Sequence, residues 1–130
     1  MKTFIIDDDP ISSCLTEMVL KLEGFTENTL TFSSAEESLD FLAEDMKEHL
    51  PKVIFLDLNM PTMNGWQFLQ ALKPHESVLT QDCAIYILTS SIDPAERRRA
   101  KEYGVVRGFI SKPLTEEHLL NIKQDLHKVV

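Results

Sequence analysis

The hydrophobic pattern of this chain keeps switching period, and that alternation restricts the fold more than any other feature. Short apolar runs of strand length, Phe4-Ile5-Ile6, Val53 to Leu56 and Ala84 to Leu88, with a fifth strand at Val105 to Ile110, alternate with stretches whose apolar residues recur at helical spacing. Pro10 to Glu23 carries Ile11, Leu15, Met18, Val19 and Leu22 at that spacing, with Asp9 placed to cap it and Pro10 in its first turn. Glu27 to Phe32 alternates polar and apolar residues, as an edge strand does. Ser34 and Glu37 form a capping-box pattern ahead of a helix with Leu39, Leu42 and Met46. Asn64 to Lys73 reads as a helix ended by Pro74, and Asp93-Pro94 opens a polar helix that runs to about Tyr103 and stops at Gly104. Thr115 to Val129 is the last helix, with Leu119, Ile122 and Leu126 facing inward. Pro74 to Asp82 is long for a helix-to-strand loop and is expected to form an extra turn.

Strands alternating with helices predict parallel β-α units and an α/β fold. The first, third and fourth strands are continuous apolar runs, buried on both faces, and the polar second strand belongs at an edge. With no repeat, low-complexity tract or linker, 130 residues suit one domain, residues 1–130. A start at Met1 and a closing helix are expected of a free-standing protein, the alternative being a domain cut from a larger kinase or transcription factor.

Hydrophobic residues at 43% and charged residues at 26% are ordinary for a soluble globular protein. No apolar run approaches the roughly 20 residues of a membrane span, and the N-terminus turns acidic too early for a secretory signal. A net charge of −8 argues against nucleic acid as a partner. The one basic cluster, Arg97-Arg98-Arg99, points three ways around a helix and reads as a solvated face. Cys14 and Cys83 lack metal spacing and read as reduced thiols, so a cytoplasmic location is expected. His49, His75, His118 and His127 are not clustered.

The chemistry lies at the strand ends. Val53 to Leu56 runs straight into Asp57, although taking a carboxylate out of water is costly. Asp7-Asp8 end the first strand, Thr89 ends the fourth, and the fifth leads to Lys112. Singly these read as turn acids, a strand threonine and a loop lysine. Together they fall on the one edge where open parallel sheets bind ligands. Converging carboxylates repel one another, and a hard divalent cation relieves that. Mg²⁺ takes oxygen ligands and is commonly held by one or two carboxylates plus a phosphate. A lysine opposite suits a phosphoryl dianion, a threonine hydroxyl can donate to a phosphate oxygen, and an aspartate can itself become an acyl phosphate. Phosphoryl transfer needs chiefly alignment and charge neutralisation.

The segments IIDDDP, FLDLNMPTMNG, ILTSS and GFISKP, in that order, resemble the receiver domains of two-component response regulators of the chemotaxis-regulator kind. The resemblance spans essentially the whole chain. It implies a flavodoxin-like (βα)5 three-layer sandwich with a parallel five-stranded sheet in the order 2-1-3-4-5. It makes Asp57 the phosphorylated residue and a metal ligand. Asp8 would ligate Mg²⁺ directly, Asp7 mainly through a water, and Asn59 through its backbone carbonyl. Thr89 would be the switch hydroxyl, with small Ser90 beside it leaving room for the phosphoryl group. Lys112 would bind phosphate ahead of a cis Pro113. Phe109 stands where the family often has a rotating tyrosine; it can turn likewise but cannot donate a hydrogen bond.

The implied donor is a sensor histidine kinase or a histidine phosphotransfer protein. The implied output is an unidentified effector protein bound by the Asp93 helix, the fifth strand and the last helix, through Arg97, Arg98, Lys101, Tyr103, Phe109 and His118. Such a protein is a signalling switch, catalysing only its own phosphorylation and dephosphorylation, and binds neither nucleic acid nor membrane. A phosphohydrolase of the haloacid dehalogenase kind would need a second aspartate two residues after the nucleophile, where Asn59 stands. A degenerate docking receiver would lack the nucleophile, an acid or the lysine, and all are present.

Overall fold

In a computed structural model that describes residues 2–24 and 28–127, the strands are β1 (Lys2–Ile6), β2 (Asn28–Phe32), β3 (Val53–Leu56), β4 (Ala84–Thr89) and β5 (Val106–Ser111). They form one parallel sheet in the order β2-β1-β3-β4-β5, as expected. The helices are α1 (Pro10–Leu22), α2 (Ala35–Glu44), α3 (Met46–His49), α4 (Gly65–Leu72), α5 (Glu76–Asp82), α6 (Pro94–Ala100) and α7 (Glu116–His127). Glu27 and the final residues of the expected last helix lie outside the described residues.

Alternate residues of the central strands feed two cores. Phe4, Ile6, Ile54, Leu56, Ile85 and Ile87 pack with Leu42 of α2, Phe68 and Leu72 of α4, and Leu79 of α5. Ile5, Val53, Phe55, Tyr86 and Leu88 pack on the other face with Leu20 of α1 and with Leu119 and Ile122 of α7. The result is helices, sheet, helices in three layers.

Two local expectations, in α1 and at Ser34, change. The apolar row of α1 does not face the sheet: Ile11, Leu15, Met18 and Leu22 are exposed, while Ser13, Thr16 and Leu20 are buried. The two hydroxyls bond back to the Pro10 and Ser12 carbonyls, so short polar side chains sit satisfied against the sheet. As expected, α4 stops at Leu72, just before Pro74, and the segment that follows forms extra helical turns: Lys73–His75 is a 3₁₀ turn leading into α5, anchored by the fully buried Leu79. The box at Ser34 is half made, because Ser34 Oγ accepts the Glu37 N–H at 3.2 Å while the Glu37 carboxylate takes the Ser33 hydroxyl instead. The reciprocal box lies at Asn64 and Gln67, with both bonds at 2.9 Å.

Candidate phosphoacceptor site

Sheet hydrogen bonding runs one residue past the strand ends and sets the site. Asp7 N–H donates to Phe32 O at 3.0 Å, Asp57 N–H to Ile6 O at 2.9 Å, and Lys112 N–H to Thr89 O at 2.8 Å. Each polar residue thus inherits the alignment of the strand before it. Asp7 and Asp57 are buried, Asp8 is exposed, and one carboxylate oxygen from each lies within 4.8 Å of the others. Lys112 Nζ is 3.0 Å from Asp7 Oδ2 and 3.7 Å from Asp57 Oδ2. Asp7 Oδ1 accepts the Asp9 N–H at 2.9 Å, and Asp57 Oδ1 accepts the Asn59 N–H at 3.4 Å.

Burial pushes the Asp57 carboxyl up from 3.8 to about 6; the Lys112 ammonium opposes that rise and the Asp7 charge adds to it. Asp57 therefore ionises reluctantly but is mostly a carboxylate at neutral pH.

The loop after Asp57 is held close. Gly65 N–H donates to Leu58 O at 3.0 Å, and a Cβ on Gly65 would meet the Asp57 backbone oxygen at 2.7 Å and Leu58 Cα at 2.9 Å. Thr62 takes a left-handed conformation, φ 68°, in the same loop. The Lys112–Pro113 peptide is cis, as expected.

Thr89 is fully buried, and its Oγ1 accepts the Ser91 N–H at 3.1 Å. Phe109 pairs with Ile87 and Ser111 with Thr89, so Thr89 and Phe109 are near neighbours on the face that carries α6. Phe109 is half-buried, with the Arg97 guanidinium 4.9 Å from its ring centroid. Arg99 lies over Trp66 at 4.5 Å. The arginine run thus splits between two aromatic rings, which a purely solvated face would not do. Tyr103 is a correction: it is 8% exposed, stacked on Trp66, and belongs to the core rather than to an open contact face.

The sequence brings together Asp7, Asp8, Asp57 and Lys112; Asn59 is tied to Asp57 through its amide, and Thr89 with Phe109 forms a neighbouring pair. The all-oxygen donor set fits a hard divalent cation. The Arg97–Phe109 contact and the close approach at Gly65 were missed. Only the glycine left a signal, by following a polar loop directly into a helix.

Residues 3–124 match the family model of the response regulator receiver domain. The chain is 32% identical over 119 residues to a probable chemotaxis protein CheY of Rhizobium etli, covering 92% of this chain and 86% of that one. It is 28% identical over 126 residues to the sensory/regulatory protein RpfC of Xanthomonas campestris pv. campestris, covering 97% of this chain but only 16% of that longer protein. A two-component response regulator from Cytophaga hutchinsonii has a similar solved structure, with TM-score 0.89 and 27% identity over 98% of this chain and 96% of the other.

Proposed function

The chain belongs to the response regulator receiver domain family, and from that membership we propose that it accepts a phosphoryl group on Asp57 and thereby switches a protein-binding face. The observation that carries this reading is the meeting of Asp7, Asp8 and Asp57 within 4.8 Å, with Lys112 3.7 Å from Asp57.

A phosphohistidine on a kinase or phosphotransfer protein is the donor. A carboxylate oxygen of Asp57 forms the new P–O bond as the P–N bond breaks, and the electron pair leaves with the imidazole. Lys112 releases Asp7 and Asp57 to neutralise the incoming phosphoryl oxygens. The Asn59 amide steadies the non-attacking oxygen of Asp57. Mg²⁺ held by Asp8, Asp57 and the Asn59 carbonyl, with Asp7 behind a water, would supply further charge neutralisation on the phosphoryl group.

The Thr89 hydroxyl then turns from the Ser91 amide to a phosphoryl oxygen. The space it leaves admits Phe109. Full burial of an aromatic is worth about 1.5–3 kcal/mol over exposure; Phe109 is already half-buried, so its inward turn gains roughly half of that, enough for a several-fold population shift. The surface that changes is built from α6, β5 and α7, where the effector binds.

Incubation with acetyl phosphate and Mg²⁺ followed by intact-mass measurement tests the reading. One base-labile phosphate adduct is expected, absent in Asp57→Asn and not formed when Mg²⁺ is chelated before the acetyl phosphate is added. An adduct that survives Asp57→Asn would refute it.

A further inference from the structure

Against a net charge of −8, cations are gathered along one side of β5. A groove of about 290 Å³ between α6 and β5 has Arg97, Lys101 and Arg107 around a floor of Val106, Gly108 and Phe109. Arg107 is paired with Asp125 at 3.2 Å. Among the described residues, Arg97 and Lys101 have no carboxylate within salt-bridge distance. What Arg97 has is the Phe109 ring, 4.9 Å from its guanidinium. That contact ties the groove to the one side chain that must move when Thr89 turns.

We infer that the groove receives an acidic segment of the effector protein, and that Phe109 holds Arg97 back from it until Asp57 is phosphorylated. This rests on the reading above, in which Phe109 turns inward. A guanidinium over a ring gains about 0.5–1 kcal/mol at an exposed site. When the ring leaves, Arg97 loses that contact and its fork becomes free for a carboxylate, which it matches in geometry. Lys101 supplies a second positive charge and Val106 an apolar seat. An occupant with carboxylates flanking an apolar side chain fits both. A long polyanion does not, because the rest of the molecule repels it. The inward turn therefore does two things at once: it opens the floor and frees the charge.

The probe is a synthetic peptide of alternating glutamate and leucine, fluorescein-labelled, with a glutamine-for-glutamate version as its control. Binding is read by anisotropy and by backbone amide shifts, with and without beryllofluoride and Mg²⁺. Movement of the Asp57 amide on adding beryllofluoride reports the phosphoacceptor reading separately, so its failure is distinguishable from failure at the groove. The acidic peptide is expected to bind about five-fold tighter to the activated protein, with shifts centred on residues 97 to 109, and the glutamine peptide to bind far more weakly in both states. Arg97→Gln should remove the gain on activation. Phe109→Leu should give the tighter binding without activation, because Arg97 is then never held. Equal binding of the two peptides, no binding to the activated protein, or an unchanged activation ratio in Phe109→Leu overturns the proposal. Displacement of the peptide by a single-stranded oligonucleotide of equal charge overturns the choice of occupant.

Discussion

Asp57 holds its proton more tightly than an ordinary aspartate, and that has a sign in stability. Its carboxyl lies at about 6 in the folded protein against 3.8 for the free group, chiefly through burial. The folded state therefore binds the proton better than the unfolded state. The stability this adds is complete below 3.8 and is lost as pH rises through about 6. In metal-free protein at pH 7 the buried Asp57 carboxylate is a net cost, to which the nearby Asp7 charge adds. Asp57→Asn should raise the melting temperature by a few degrees in chelator at pH 7 and leave it unchanged below the window. A lower melting temperature at pH 7 would contradict the burial argument. On the proposed reading, the neighbours of Asp57 set how long its phosphate lasts. Asn59 is exposed and uncharged, and Ser91 is small, so neither blocks water. The aspartyl phosphate should last minutes rather than many hours, and Asn59→Lys should lengthen that by crowding and by competing for the metal. Decay followed by loss of the mass adduct checks this; an unchanged rate would show that position 59 does not gate water. These acids could be read from the sequence because each directly follows an apolar run. Arg97 over Phe109 could not, because the contact depends on how a helix is rotated against an edge strand about 40 Å of chain away in the extended state.

The loop from β3 to α4 is the element that sets the position of Asp57. Its two fixed points are the Asn64–Gln67 box and the glycine that lets the α4 N-terminus touch the Asp57 backbone. Asn64→Ala should cost about 1 kcal/mol, as loss of a helix cap does. Gly65→Ala should cost more, because its Cβ would run into backbone rather than into a side-chain tip. It should also slow phosphorylation from acetyl phosphate, whereas Asn64→Ala should change stability alone. Denaturant melts beside adduct formation separate the two; equal effects on both would mean that the close approach does not position Asp57. Strands were legible here because a continuous apolar run has few other uses. The α5 segment was only half legible: HESVLTQD is polar apart from Val78 and Leu79, and a single buried leucine is too small a signal to distinguish a helix from a loop. In α1 the helix itself was legible and its orientation was not. Periodicity identifies a face, but Ser13 and Thr16 take the buried one by satisfying their hydroxyls on their own helix.

For the molecule as a whole, that orientation leaves an apolar surface next to the chemistry. Ile11, Leu15, Met18 and Leu22 line a groove of about 460 Å³ that ends at Lys112 and Pro113, so it is continuous with the mouth of the Asp57 site. An exposed patch of this kind marks a contact surface more often than an accident of packing. A small donor such as acetyl phosphate reaches Asp57 by diffusion and needs no such seat. On the proposed reading, a protein donor must bring its phosphohistidine to a buried carboxylate, and the scaffold carrying that histidine has to rest on whatever surrounds the mouth. The acidic remainder of the surface offers it little desolvation gain, and α1 offers a great deal. Leu15→Glu should therefore slow transfer from the fastest of a panel of phosphorylated histidine phosphotransfer proteins by at least about ten-fold, the worth of one buried leucine side chain. It should leave the rate with acetyl phosphate unchanged, because Leu15 is exposed and touches none of the reacting groups. The two rates measured side by side on one preparation decide it. Equal slowing with both donors would place the defect in the site itself, and no slowing with either would mean that protein donors approach from the β2 side of the sheet instead.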